Sequence, residues 1–268
     1  MLHKIHIAIS IEVLKVCEGE KMFTVKKIAY AMLLLGAASV NASAAEVIQN
    51  GGFESFGSDV YDITGWSVAE NNLLGGVLVE AGTVSSVTGN TTVGAASGNF
   101  YGLLDNYGSA DLALYQAFTL GAVTSAVLSF DMFVNNQSGF TVVNNSGLDY
   151  TSGGSDLDNQ HARVDLLAAS ADPFSTAPGD VLQTFYIGGG SNAVNGYSAY
   201  SFDLTTQLAA GGSYVLRFAN VANIDTMQLG VDNVSLNAVA AVPEAETYLM
   251  MLAGLGLIGA VRRRQTRV

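Results

Sequence analysis

Two carboxylates stand near opposite ends of the middle of the chain, each in a setting suited to a hard cation. Glu54 closes the run Asn50-Gly-Gly-Phe-Glu54, and Asp232 lies within Gly230-Val-Asp-Asn-Val-Ser-Leu236. Calcium takes six to eight oxygen ligands, and carbonyls of a Gly-rich turn such as 50–52 can complete that shell. Glu54 and Asp232 are by their chemistry compatible with metal ligation; the plainer reading is two turn or edge carboxylates. A second group is His161-Ala-Arg163-Val-Asp165. In a strand His161, Arg163 and Asp165 share one face. Such a polar row either hydrogen-bonds a sugar or forms the solvated face of a sheet. Trp66, like Tyr107, Tyr115, Tyr197 and Tyr200, offers a ring that stacks on a sugar or fills a core. Trp66, His161, Arg163 and Asp165 make up the candidate ligand face.

Catalytic patterns are sparse. His161 is the single histidine between residues 46 and 242. A Ser-His-Asp triad would have to use it, and no G-x-S-x-G elbow accompanies it. H-E-x-x-H and phosphate-cradling Gly-Lys loops are also missing. Carboxylates are plentiful enough for a paired-acid glycosidase, but the expectation is a chain that is not an enzyme and has no catalytic residues.

Charge narrows the partners. Residues 46–242 hold 18 Asp and Glu against two basic residues, Arg163 and Arg217, a net charge of −16. Phosphate-backbone recognition needs a Lys/Arg patch, so nucleic acid is excluded as a partner of this region. Docking on anionic lipid through it is disfavoured for the same reason. The one cysteine, Cys17, lies outside this region. Disulfides and zinc–thiolate sites are therefore excluded within it.

The elements that must position these groups read as strands. Leu128, Phe130, Met132 and Val134 alternate with Ser129 and Asp131, with Phe133 the exception. Tyr214, Leu216 and Phe218 repeat the period of two, as do Tyr200, Phe202 and Leu204. Such alternation marks half-buried strands. Further strands are expected at 76–80, 100–104, 112–120, 160–167, 181–187 and 227–236. Gly, Asn, Ser and Asp fill the gaps, as tight turns require. Leu229 and Val231 are odd-numbered while Val234 and Leu236 are even, so a bulge is expected at Asp232-Asn233. A short helical turn is expected within 168–180, limited by Pro173 and Pro178. The fold class is all-β, an antiparallel sandwich or jelly roll.

Both ends read as sorting segments outside that fold. Lys26-Lys27, the apolar run 28–40 and Ala42-Ser43-Ala44 follow the order of a secretory signal peptide, with Ala42 and Ala44 marking the cleavage site. Met22 is placed as the start, with 1–21 an upstream over-extension. The signal then spans 22–45, the sandwich 46–236, a small-residue linker 237–242 and the tail 243–268. The tail runs Pro243-Glu244, an uncharged apolar stretch 247–261, then Arg262, Arg263 and Arg264. Fifteen helical residues span about 22 Å, short of the roughly 30 Å hydrocarbon core. A short apolar helix of this kind enters the inner membrane only transiently, with its arginines on the cytoplasmic side.

This tail resembles the PEP-CTERM sorting signal of Gram-negative bacteria, which joins a Pro-Glu-Pro-like signature, an apolar helix and an Arg cluster. Ala245 stands where the signature has its second proline. The resemblance implies an exosortase as partner, acting near Pro243-Glu244, and placement at the cell surface or in an exopolysaccharide matrix. The middle region is similar to the galactose-binding-like jelly rolls of carbohydrate-binding modules, through Asn50-Gly-Gly-Phe-Glu54, Leu114-Tyr-Gln-Ala-Phe118 and Gly230-Val-Asp-Asn-Val-Ser-Leu236. That likeness implies first and last strands lying together around a structural calcium, and exopolysaccharide as a partner. A surface-retained carbohydrate-active enzyme and a protein-binding adhesin are the alternatives. Peptide mapping of the protein before export is expected to find no translated sequence ahead of Met22; a peptide from 1–21 would refute that start.

Overall fold

Apolar residues every second position leave each strand one face to bury, and two sheets bury those faces against each other. The computed structural model describes residues 43–151, 158–241, 251–252 and 254–256. Eleven strands follow in order: β1 (Ala44–Glu46), β2 (Ser67–Glu70), β3 (Gly75–Ala81), β4 (Phe100–Asn106), β5 (Ala110–Leu120), β6 (Val123–Asn136), β7 (Gln160–Ala168), β8 (Val181–Gly188), β9 (Ser198–Asp203), β10 (Gly212–Ala222) and β11 (Met227–Ala240). One short helix, α1 (Thr205–Leu208), separates β9 from β10.

One sheet has the order β3-β4-β11-β6-β9, with β1 added beside β11; the other runs β2-β5-β10-β7-β8. The strand pairings in both are antiparallel. The result is the antiparallel jelly-roll β-sandwich that the sequence predicts. Strands β4 and β1 share one side of β11, pairing with Met227–Val231 and Asn237–Val239, while β6 covers its other side.

Leu128, Phe130, Met132 and Val134 enter the inter-sheet core, where they meet Leu114, Val164, Leu216 and Phe218 of the opposite sheet. Ser129 and Asp131 remain half-buried on the other face. Phe133, the exception to the alternation, joins Leu78, Tyr101 and Leu103 in a cluster on the outer face of the larger sheet. A Cβ on Gly230 would sit 2.0 Å from the Phe133 ring, so this ring needs a glycine opposite it. Trp66 stacks on Phe53 with centroids 5.3 Å apart and tilts against Phe218 at 6.1 Å.

One detail differs from expectation. Segment 168–180 contains turns and no helix; its backbone closes through Ala168 N–H to Asp180 O (2.8 Å) and Ala171 N–H to Ala168 O (3.1 Å). Strand β1 falls at the end of the segment read as signal, and Ala44 pairs with Val239. Ala42, Pro243, Glu244, Arg262, Arg263 and Arg264 lie outside the described residues. Within the apolar tail, residues 251–252 and 254–256 are helical. No helix among the described residues is long and apolar enough to cross a membrane.

Trp66→Ala removes a large core ring and the indole N–H bond to Asn50 O. A destabilisation of about 3–5 kcal/mol is expected, read by denaturant unfolding.

Candidate functional site

The bulge falls where the broken alternation places it: the β11–β6 register shifts between Asp232 and Ser235. Asn233 there has φ 53°, and across from it Asn50 and Phe53 have φ 50° and 56°; these are the non-glycine residues with positive φ among the described residues. A bulky ring in that region is a backbone outlier that neighbours must hold in place. Asn50 does much of this, donating through Nδ2 to Ser55 O and Thr64 O and accepting Ser55 N–H at Oδ1. Val234 N–H donates to Gly51 O at 2.9 Å. A Cβ on Gly51 would lie 1.7 Å from Val234 O, so the approach requires glycine.

Glu54 and Asp232 come together around one loop. Asp232 is buried, and its Oδ2 accepts the N–H groups of Ala96 and Ser97, both at 2.9 Å. Its Oδ1 accepts Asn233 N–H at 2.7 Å. Glu54 Oε1 accepts Asn99 N–H (2.7 Å) and Phe100 N–H (3.0 Å). A Cβ placed on Gly52 would lie 3.9 Å from Asp232 Oδ1 and 4.0 Å from Glu54 Cγ. Burial pushes the Asp232 carboxyl up despite its three N–H donors. The Asn99 and Phe100 N–H groups hold Glu54 below its ordinary value. Among the described residues no group of three or more His, Cys, Asp or Glu side chains is arranged to hold a metal.

His161, Arg163 and Asp165 do share one face of β7, but that face is internal. Opposite them on β10 lie Val221, Ala219 and Arg217. Asp165 Oδ2 accepts Arg163 Nε (2.7 Å) and Arg217 Nη2 (2.5 Å); its Oδ1 accepts Arg163 Nη2 and Thr184 Oγ1, both at 2.7 Å. Arg217 Nη1 donates onward to Pro173 O and Ser175 O at 2.7 and 2.8 Å. His161 Nδ1 lies 3.3 Å from Val142 O. Burial pushes this imidazole down to about 4, the Val142 carbonyl opposing, so the ring is neutral at pH 7. The row is therefore neither solvated nor open to a sugar. Leu148, Tyr150 and Phe174 pack over this sheet face on Ala113, Ala219 and Val221. Trp66 likewise belongs to the core. Of the other rings, Tyr200 stacks on Phe130, Tyr197 donates to Gly94 O, and Tyr107 is exposed, its hydroxyl donating to Leu73 O.

Beside this covered row is a pocket of about 380 Å³ that includes Asn71, Asp111, Asp149, Tyr150, Thr151 and Phe174 in its walls. Asp111, near the start of β5, pairs with Val221, which pairs in turn with His161. Asn71 Nδ2 donates to Asp111 Oδ2 at 2.8 Å, and Tyr150 Oη donates to Asn71 O at 3.2 Å. Asp111 is 2% exposed, and its Oδ1 has no hydrogen-bond partner among the described residues. Burial pushes this carboxyl up to about 6; the Asn71 bond opposes the rise and the Asp149 charge adds to it. A smaller pocket of about 270 Å³ lies beside Tyr186 and Tyr200.

Residues 241–265 match the family described as the PEP-CTERM protein-sorting motif. The chain thus carries this sorting motif, which implies exosortase processing and marks proteins exported across the inner membrane to the cell surface of Gram-negative bacteria. No curated protein matches the chain. Among solved structures it is similar to TmCBM61 in complex with β-1,4-galactotriose, at 10% identity over 72% of this chain and 97% of that one, TM-score 0.42. It is similar to the Stig cyclase Fisc from Fischerella sp. TAU, at 18% identity over 75% and 100%, TM-score 0.41. It is also similar to the K1 cleaved adhesin domain of Lys-gingipain from Porphyromonas gingivalis W83, at 11% identity over 75% and 99%, TM-score 0.39. These likenesses concern the fold alone.

Asp165→Asn strands buried Arg217 without a counter-charge, and a loss of about 3–5 kcal/mol is expected in denaturant unfolding. Burial alone would raise the Asp165 carboxyl, but the two arginines hold it below its ordinary value. Its contribution is therefore complete above the unfolded-state pKa and is lost as pH falls through the lower folded value. The variant is expected to lack that part of the acid-unfolding slope.

Proposed function

We propose that the chain is an exported surface protein whose jelly roll binds carbohydrate without turning it over, in association with extracellular polysaccharide. The pocket at β5 is the observation that supports this most directly. It offers a buried carboxylate with an open acceptor, an amide, a threonine hydroxyl and two aromatic rings. Sugars are bound by this combination of hydrogen-bonding groups and apolar ring faces. The buried, weakly basic His161 is a poor general base, which favours binding over hydrolysis. Processing by an exosortase, with the tail passing transiently through the inner membrane, accounts for retention at the surface.

One observation favours a second reading. Asp111, held up to about 6 near Asp149, has the protonation range of a glycosidase general acid. Incubation with polysaccharide separates the two readings. Pull-down of the polymer without release of reducing ends is expected; steady release that Asp111→Asn abolishes would establish the enzyme.

We further propose calcium at the Glu54–Asp232 junction, in a structural role. The donors are hard oxygens of the right kind. Asp232 is buried, and both arginines of residues 46–242 are committed to Asp165 on the other sheet. Glu54 and Asp232 would hold the ion, with backbone carbonyls of the strained turn completing the shell. Millimolar calcium is then expected to raise Tm by several degrees, a gain absent in Asp232→Asn. A Tm indifferent to calcium would contradict this assignment.

A further inference from the structure

The β5 pocket offers an acceptor that asks for a donor. Asp111 lines the cavity and is buried, and its Oδ1 has no hydrogen-bond partner among the described residues. Its other oxygen, Oδ2, is already held by Asn71 Nδ2 at 2.8 Å. Asp149 in the same wall has its own partners: its Oδ1 accepts the N–H and the hydroxyl of Thr151 at 2.8 and 2.6 Å.

From this we infer that the pocket selects uncharged, hydroxyl-bearing sugar units, one O–H donating to Asp111 Oδ1, and turns away uronate units. The inference rests on the carbohydrate-binding reading and narrows it to neutral glycans.

A buried acceptor left without a donor is unfavourable, and one sugar hydroxyl satisfies it. A uronate carboxylate in the same place carries no proton near pH 7. Asp111 Oδ1 would then stay unsatisfied, with a further negative charge brought beside it away from water. Carboxylates are bound well by charge-assisted donors, Arg above all. Here the basic side chains of residues 46–242 are Arg163 and Arg217, and both are buried and bound to Asp165. His161, also buried, carries no charge at pH 7. The wall therefore has no cation to give.

Charge acts at longer range in the same direction. The net charge of −16 over residues 46–242 sets up a field that slows the approach of a polyanion and leaves a neutral chain unaffected. Tyr150 and Phe174 line the pocket and add apolar ring surface, which suits the C–H faces of an uncharged hexose.

The test is calorimetric titration of the purified exported chain with gluco-, galacto- and manno-trisaccharides at pH 7. Each is used in its neutral form, with every C6 oxidised to the carboxylate, and as the methyl ester of that acid. The neutral form is expected to bind at least about tenfold tighter than its oxidised form. The ester, neutral again at nearly the size of the acid, is expected to recover most of that loss. Asp111→Asn, which removes the pocket's buried charge and exchanges one acceptor for a donor, is expected to weaken the neutral oligomer and to shrink the ratio of neutral to oxidised affinity several-fold. The ester comparison needs no variant and decides the matter if Asp111→Asn does not fold. Equal affinity for neutral and oxidised forms, an ester as weak as the acid, or an unchanged ratio in folded Asp111→Asn overturns the selectivity and leaves carbohydrate binding standing. No binding of any of the three neutral oligomers overturns the carbohydrate reading itself.

Discussion

Asp165 and the two arginines it binds decide more of this molecule than any other contact. Asp165 and Arg217 are fully buried, so each would be costly alone. Together, with Arg163 and Thr184, they form a bonded cluster on what would otherwise be an open sheet face. Arg217 extends the cluster by holding the carbonyls of Pro173 and Ser175. That grip places Phe174 over the sheet and gives the pocket one of its walls. The same cluster removes both basic side chains of residues 46–242 from the exterior. The uncompensated carboxylate in the pocket and the acidic surface around it are thus two results of one buried interaction.

The two ends of the sandwich meet at β11. It lies between β6 on one side and β4 and β1 on the other, and it ends at Ala240, one residue before the matched sorting motif begins. Strand β1 pairs with its final turn-side residues, so the start and end of the sandwich leave from one place. Glu46 fastens the two: its Oε1 accepts the N–H groups of Val47, Ile48 and Leu236. The strained turn at Asn50–Phe53 and the bulge at Asn233 lie on the same pair of segments, where Gly51 and Val234 lock them together.

Much of the sandwich is legible in the sequence because its faces differ so plainly in polarity. The alternation in 128–134, 200–204 and 213–220 locates β6, β9 and β10, and its slip after Val231 locates the bulge. Strands β1 and β2 escape notice because three or four residues of Ala, Ser, Val and Glu carry too little pattern. The ligand face was harder for a physical reason. Alternation says that His161, Arg163 and Asp165 share a side; it does not say what covers that side. The cover comes from turn-rich stretches around Leu148, Tyr150 and Phe174, whose packing is long-range. The pocket itself left one faint sign, a lone Asp111 heading the apolar run Leu112-Ala113-Leu114, an acid where a buried strand should begin.

The central claim is that the pocket at the head of β5 is where a sugar sits. Backbone chemical-shift mapping of the exported chain, titrated with oligosaccharide fragments of extracellular polysaccharide, tests it most directly. The account predicts that the largest shifts fall on Asn71, Asp111, Tyr150, Thr151 and Phe174. Shifts centred instead on Tyr186 and Tyr200, or none anywhere at saturating sugar, would contradict it.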